Sequence, residues 1–255
     1  PAVDPDGRRV AFVHAGDIWL APIDGGPAER ITANPASHHT PRFSPDGELL
    51  AFSSGRSGHG DVYVLPLNGG TVQQLTFHDE YCAVEDWTPD GAAIYFSSYR
   101  EQLGNALYQV AAGGGTPAPV YAEPLEQLSQ LCASPDGAWL AFANLRNAWW
   151  RRNPTAFAPD EIWIGPAVPD YAALRPFAGP TAPHPYAGRN CWPLWAPDSR
   201  GMYFVSDRDG HENLWFQPLE GGPPQPITRF TDGRLAFPQI ARRNGLIVFE
   251  RAGRI

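Results

Sequence analysis

The chain has no lysine. All 19 of its basic residues are arginine, set against 27 acidic residues for a net charge of −8. Its arginines form no run longer than a pair, which argues against a nucleic-acid backbone or an anionic membrane surface as partner. No apolar stretch approaches the roughly 18 residues a membrane-spanning helix needs, so membrane insertion is not predicted. No basic-then-apolar leader opens the sequence. Met202 is the only methionine and the chain begins at Pro1, so a natural start, with any targeting signal, is expected upstream. Three cysteines, Cys82, Cys132 and Cys191, cannot all pair. They read as small buried thiols, with one disulfide plus one free thiol as the alternative, which leaves the redox compartment open. No Cys-x-x-Cys or His-Glu-x-x-His spacing occurs, so no metal or other cofactor is predicted. Long segments of helical period are also missing; Tyr121 to Leu131 could hold one helical turn at most.

Turn formers and aromatics are abundant: 28 Pro, 26 Gly, 9 Trp and 9 Tyr. Pro-Asp-Gly recurs at Pro5-Asp6-Gly7, Pro45-Asp46-Gly47, Pro89-Asp90-Gly91 and Pro135-Asp136-Gly137, with a degraded copy at Pro197-Asp198-Ser199. A sixth copy has lost its turn residues in Ala241-Arg242-Arg243-Asn244. At a constant offset after each turn stands a phenylalanine: Phe12, Phe52, Phe96, Phe142, Phe204 and Phe249. A second apolar run follows, as in Asp17-Ile18-Trp19, Asp61-Val62-Tyr63 or Glu161-Ile162-Trp163. Then come Gly pairs (Gly25-Gly26, Gly69-Gly70, Gly113-Gly114, Gly221-Gly222) and short runs ending in Ile31-Thr32, Leu75-Thr76 or Ile227-Thr228.

Pro presets φ, Asp bonds its own backbone and Gly accepts positive φ, so each tripeptide reads as a tight turn between an inner strand and a second strand. The Gly pair turns the third strand into the fourth. One such four-stranded sheet cannot bury both faces; copies packed around an axis can. The fold class is therefore all-β: a six-bladed β-propeller of four-stranded antiparallel blades, the last incomplete in this chain. The units run approximately 1–40, 41–83, 84–131, 132–192, 193–237 and 238–255. A β-sandwich is the alternative, but it does not require identical offsets in successive units.

The repeats resemble those of TolB-like propellers. Two features resemble more narrowly the amino-terminal six-bladed propeller of tricorn-type serine peptidases. These are the opening Pro1 to Leu20 and the insertion Asn147-Ala148-Trp149-Trp150-Arg151-Arg152-Asn153-Pro154 ahead of Asp160-Glu161-Ile162-Trp163-Ile164. The resemblance implies a domain that is not itself the catalyst. It implies oligopeptides and the remaining domains of a larger peptidase as partners, leaves room for a homo-oligomer, and places the serine nucleophile outside this chain. It also implies a cytoplasmic setting, where a TolB-like protein would be periplasmic. In the family, a basic pair between early blades helps hold a peptide carboxylate; the aligned segment here, His78-Asp79-Glu80-Tyr81, is acidic, so that role is not carried over. Two other functions stay open: a stand-alone TolB-like protein-binding scaffold, and a sugar-processing lyase or hydrolase.

Binding groups are expected where connections converge on the channel mouth. That face is predicted to present His38, His39, His78, Cys82, Cys132, His184, Arg189, Asn190 and Cys191. Trp149, Trp150, Arg151 and Arg152 are costly to leave in water together. They read either as a contact patch for peptide or another domain, or as a loop folded over its own blade. Gly55-Arg56-Ser57-Gly58-His59 only partly matches a nucleophile elbow and falls on a hairpin loop, so catalysis is not assigned to it.

Overall fold

In the computed structural model, which describes residues 1–101, 103–122, 126–145 and 160–255, five four-stranded antiparallel sheets and one two-stranded sheet form a ring. The insertion carrying Trp149, Trp150, Arg151 and Arg152 lies outside the described residues. The inner strands, in blade order, are Ala2–Val3, His38–Phe43, Cys82–Trp87, Leu128–Ala133, Asn190–Trp195 and Ala236–Ile240. In each full blade the strands pair in chain order, inner to outer. The ring closes where Arg243 N–H donates to the Pro5 carbonyl at 3.0 Å and the Asn244 amide to the Asp6 carbonyl at 2.7 Å.

Six hydrophobic clusters fill the six gaps between neighbouring sheets. The repeated phenylalanines sit in them. Phe52 packs between blades 1 and 2, Phe96 between 2 and 3, Phe142 between 3 and 4, and Phe204 between 4 and 5. Phe249 is half-buried in the cluster between blade 5 and the sixth sheet, and Phe12 is half-buried in the first blade.

In three of the blades a further residue of the repeat covers the layer. Arg56, Arg100 and Arg208 each follow the repeat phenylalanine by the same short interval and lay the guanidinium over its ring, at 5.5, 5.6 and 5.2 Å. Each also covers an aromatic of the third strand: Tyr63, Tyr108 or Trp215. Arginine serves here because its flat cation is both a hydrogen-bond donor and a stacking surface.

The Asp or Asn that begins the third strand and the Thr two residues past the outer strand form a clasp. Thr76 Oγ1 donates to Asp61 Oδ1 at 2.7 Å and accepts from Val62 N–H at 2.9 Å. Asp17 with Thr32 and Asn213 with Thr228 repeat the arrangement. Thr76→Val keeps the shape but leaves a buried carboxylate oxygen and an amide without that partner. A loss of about 2 kcal/mol is expected, read by urea unfolding.

The Gly pair shifts by one residue in blade 3. The positive-φ pair there is Gly114–Gly115 (+93°, +136°), matching Gly25–Gly26 (+92°, +137°), rather than Gly113-Gly114. The third strand of that blade runs to Ala111, and Gly114 N–H bonds the Ala111 carbonyl, so the turn requires the left-handed residue there.

Candidate functional site: the central channel

Every inner strand from blade 2 to the sixth sheet breaks its ladder with a β-bulge. Thr40-Pro41, Gln130-Leu131, Trp192-Pro193 and Phe237-Pro238 are the inserted pairs, each opposite the repeat phenylalanine of its own blade. In blade 3 the extra residue is Glu85. The first residue of each pair has positive φ (Thr40 47°, Gln130 57°, Trp192 51°, Phe237 51°), an uncommon conformation for side-chain-bearing residues. Proline fits the second position because a bulged residue leaves the ladder and needs no N–H. The bulges reorient side chains toward the channel, where a cavity of about 260 Å³ is lined by residues of blades 2 to 6.

The bulges are tied to one another around the lumen. Arg42 Nε donates to the Glu85 carbonyl at 2.6 Å and Arg42 Nη1 to the Pro41 carbonyl at 2.9 Å. Trp192 N–H donates to Gln130 Oε1 at 2.7 Å, and the Trp192 ring meets Phe237 at 5.8 Å between centroids. A second set of bonds crosses the lumen. Arg242, just past the inner strand of the sixth sheet, reaches Asp86 of blade 3, nearly diametrically opposite, at 2.8 Å. The other oxygen of Asp86 accepts Ala133 N–H of blade 4 at 2.9 Å. Arg42, Asp86, Gln239, Ile240 and Arg242 form a shared wall between the main cavity and a recess of about 30 Å³ beside Ala2, Val3 and Pro5. An ion pair therefore partitions the channel.

Burial pushes the Glu85 carboxyl up to about 7, although the Ser97 hydroxyl and the Arg42 charge pull it down. Burial lowers the pKa of Arg42, against the attraction of Glu85 and Asp86. Burial is the largest single influence on Arg242 and lowers its pKa, but the attractions of Asp86, Cys132 and Tyr95 with the Asp86 hydrogen bond together outweigh it, and the pKa ends raised. The Cys132 thiol is pushed up to about 12 by burial and then by Asp86, so it is not a thiolate nucleophile at neutral pH.

The residues predicted at the channel mouth separate. His38, Cys82, Arg189, Asn190 and Cys191 do cluster at the starts of inner strands, but all are buried. Cys132 stands near the far end of its strand, where it accepts Trp195 N–H at 3.4 Å. The face is not a row of solvated ligands: His38 N–H donates to the Gly16 carbonyl at 2.9 Å and Cys82 N–H to the Gly60 carbonyl at 2.8 Å, each in the loop between the second and third strands of the preceding blade. All three cysteines are free thiols. His38 bonds Ser54 at 2.8 Å and lies 3.9 Å from Asp17. The trio has the order of a catalytic triad, but His38 and Ser54 are both sealed from solvent, and burial followed by Arg56 lowers the His38 pKa. The trio is an internal brace. Arg189 faces Glu212 at 3.5 Å. His39 is exposed on the mouth, edge-on to Tyr81; His78 and His184 are half-buried in surface loops. Ser57, in the elbow-like segment, lies in a short 3₁₀ turn and donates to Asp61. Among the described residues no group of three or more His, Cys, Asp or Glu is arranged to hold a metal ion.

Sequence reasoning missed the bulge residues and the pair Asp86–Arg242. The only signal for the bulges was a proline after three of them, at 41, 193 and 238.

Residues 1–255 match the family described as the tricorn protease N-terminal beta propeller domain. A segment of 54 residues is 48% identical to tricorn protease homolog 1 of Streptomyces coelicolor, covering 21% of this chain and 5% of that protein. A crystal structure of the tricorn protease is similar over 97% of this chain and 24% of its own, at 20% identity and a TM-score of 0.75. A putative TolB from Agrobacterium tumefaciens matches 90% of this chain and 75% of its own, at 23% identity and a TM-score of 0.71. At those identities the two solved structures speak to the fold alone. The chain thus spans a small part of its longer relatives.

Proposed function

Because this chain belongs to the tricorn protease N-terminal β-propeller family, we propose that it is a non-catalytic domain of a tricorn-like serine peptidase that controls how oligopeptides reach a catalytic region outside residues 1–255. It would also contribute to assembly with the other domains. The observation that carries the reading is the barred channel: the Asp86–Arg242 pair divides a lumen lined by backbone bulges and by charges of both signs. Such a lumen admits an extended polar chain and restricts it, because an ion pair can exchange partners with a peptide's own charges.

The test is Arg242→Ala in the full-length peptidase. This change joins the two spaces while Asp86 keeps its bonds from Trp87 and Ala133 N–H. Hydrolysis of oligopeptides should rise relative to that of a small chromogenic substrate. Equal change for both, or none for either, would sink the gating role.

A further inference from the structure

The charges of the channel wall are already matched to one another. Asp86 holds Arg242 at 2.8 Å, and Arg42 is attracted by both Glu85 and Asp86. A charged side chain entering the lumen must displace one of these partners, whereas a neutral one displaces nothing. The same cavity of about 260 Å³ also carries an apolar wall: Leu131, Leu194, Trp192 and Phe237. Trp192 and Phe237 stand on neighbouring sheets, with ring centroids 5.8 Å apart and planes tilted by 58°. Each opens a bulge at φ 51°, where a bulky side chain is strained and Asn or Gly would sit at less cost. The bulge residues of blades 2 and 4 use their side chains within the fold: Thr40 bonds Ser53, and Gln130 accepts Trp192 N–H. Phe237 meets Trp192 and is still 40% exposed, lining the lumen.

We propose that this cavity is a subsite for one neutral, apolar side chain of an oligopeptide, an aromatic one above all, with Trp192 and Phe237 as the residues that select it. The proposal rests on the reading of this domain as one that handles oligopeptides, and it names the residue type favoured. A volume of about 260 Å³ falls short of the roughly 300–1,000 Å³ of sites for whole small-molecule ligands, and suits a single side chain. An aromatic ring gains both burial and edge-to-face contact from the tilted pair. A peptide is favoured over a free aromatic because Asn105 and Gln239 line the same space. Each spends a side-chain N–H on a backbone carbonyl, that of Leu128 or Pro238. Their side-chain carbonyl oxygens accept no bond among the described residues, and they match the N–H groups of a peptide backbone.

The experiment is calorimetric titration of this chain with N-acetyl-Ala-Xaa-Ala-amide, in which Xaa is Phe, Ala or Glu, and with benzyl alcohol. Both ends of the peptide are blocked, so no terminal charge takes part. The Phe peptide should bind at least about tenfold more tightly than the Ala peptide, the worth of one buried aromatic side chain. The Glu peptide should bind no better than the Ala peptide. Phe237→Asn should bring the Phe peptide down to the level of the Ala peptide, while the urea midpoint holds or rises, because Asn tolerates the left-handed conformation. Equal binding of the Phe and Ala peptides by the unaltered chain overturns the proposal without any variant. So does a folded Phe237→Asn that keeps the full preference for Phe, which would mark the ring as packing alone. A Glu peptide that binds more tightly than the Phe peptide overturns the neutral occupant. Binding of benzyl alcohol as tight as that of the Phe peptide overturns the peptide assignment in favour of a free aromatic. None of these titrations depends on turnover by the full-length peptidase, so gating can stand or fall separately.

Discussion

Phe96→Ala is expected to cost about 3–5 kcal/mol, and Phe12→Ala only about 1 kcal/mol. Both residues occupy the same place in the repeat, so sequence alone would assign them the same worth. Phe96 is fully buried between blades 2 and 3, stacked on Tyr108 with centroids 5.5 Å apart and covered by Arg100. Truncation removes the ring from a layer whose walls are two sheets. The sheets cannot close on the hole without moving a whole blade, so the cavity persists and its cost adds to the lost transfer energy. Phe12 is only half-buried and has less to lose. Chemical unfolding of both variants beside the parent chain reads the difference. Equal losses would mean that the phenylalanines are not wedged between blades as described.

The contrast shows what the sequence could and could not convey. A fixed offset betrays a repeated environment, so the blades, their four strands and the interblade phenylalanines could be read from it. The spacing of Arg56, Arg100 and Arg208 is equally regular, but spacing does not show whether an arginine serves as a charge or as a flat surface. The bulges share a backbone conformation but no residue type: Thr40, Gln130, Trp192 and Phe237 have nothing in common as side chains. The channel lies further still from local pattern. Arg242 and Arg243 look like a basic pair, yet one points inward to Asp86 and the other outward to Asp6. Which goes where is decided by ring closure, when the sixth sheet meets the first blade, and no local window contains that event.

The packing of neighbouring blades also buries Glu85 beside Arg42 and Asp86, and this sets the last expectation. Its carboxyl is held at about 7, against an ordinary value of 4.5. Between those values the folded chain keeps a proton that the unfolded chain has released. The stability this provides is fully present below the unfolded pKa and is lost as pH rises through the folded one. At about 1.4 kcal/mol per pKa unit, the loss from pH 4.5 to 8 is on the order of 3 kcal/mol. Glu85→Gln keeps the shape and cannot ionise, so it should be the more stable chain at pH 8 and close to the parent at pH 4.5. The charged or titratable groups around it include Arg42, Tyr81, Asp86, Cys132 and Arg242, and the substitution leaves all of them in place. His38 works in the opposite sense: its lowered pKa removes stability as pH falls, in both chains alike. The difference between the two unfolding curves therefore isolates Glu85. Curves that run parallel from pH 4.5 to 8 would mean that Glu85 ionises as freely in the folded channel as in water, and the account of a dry, charge-partitioned lumen would have to be abandoned.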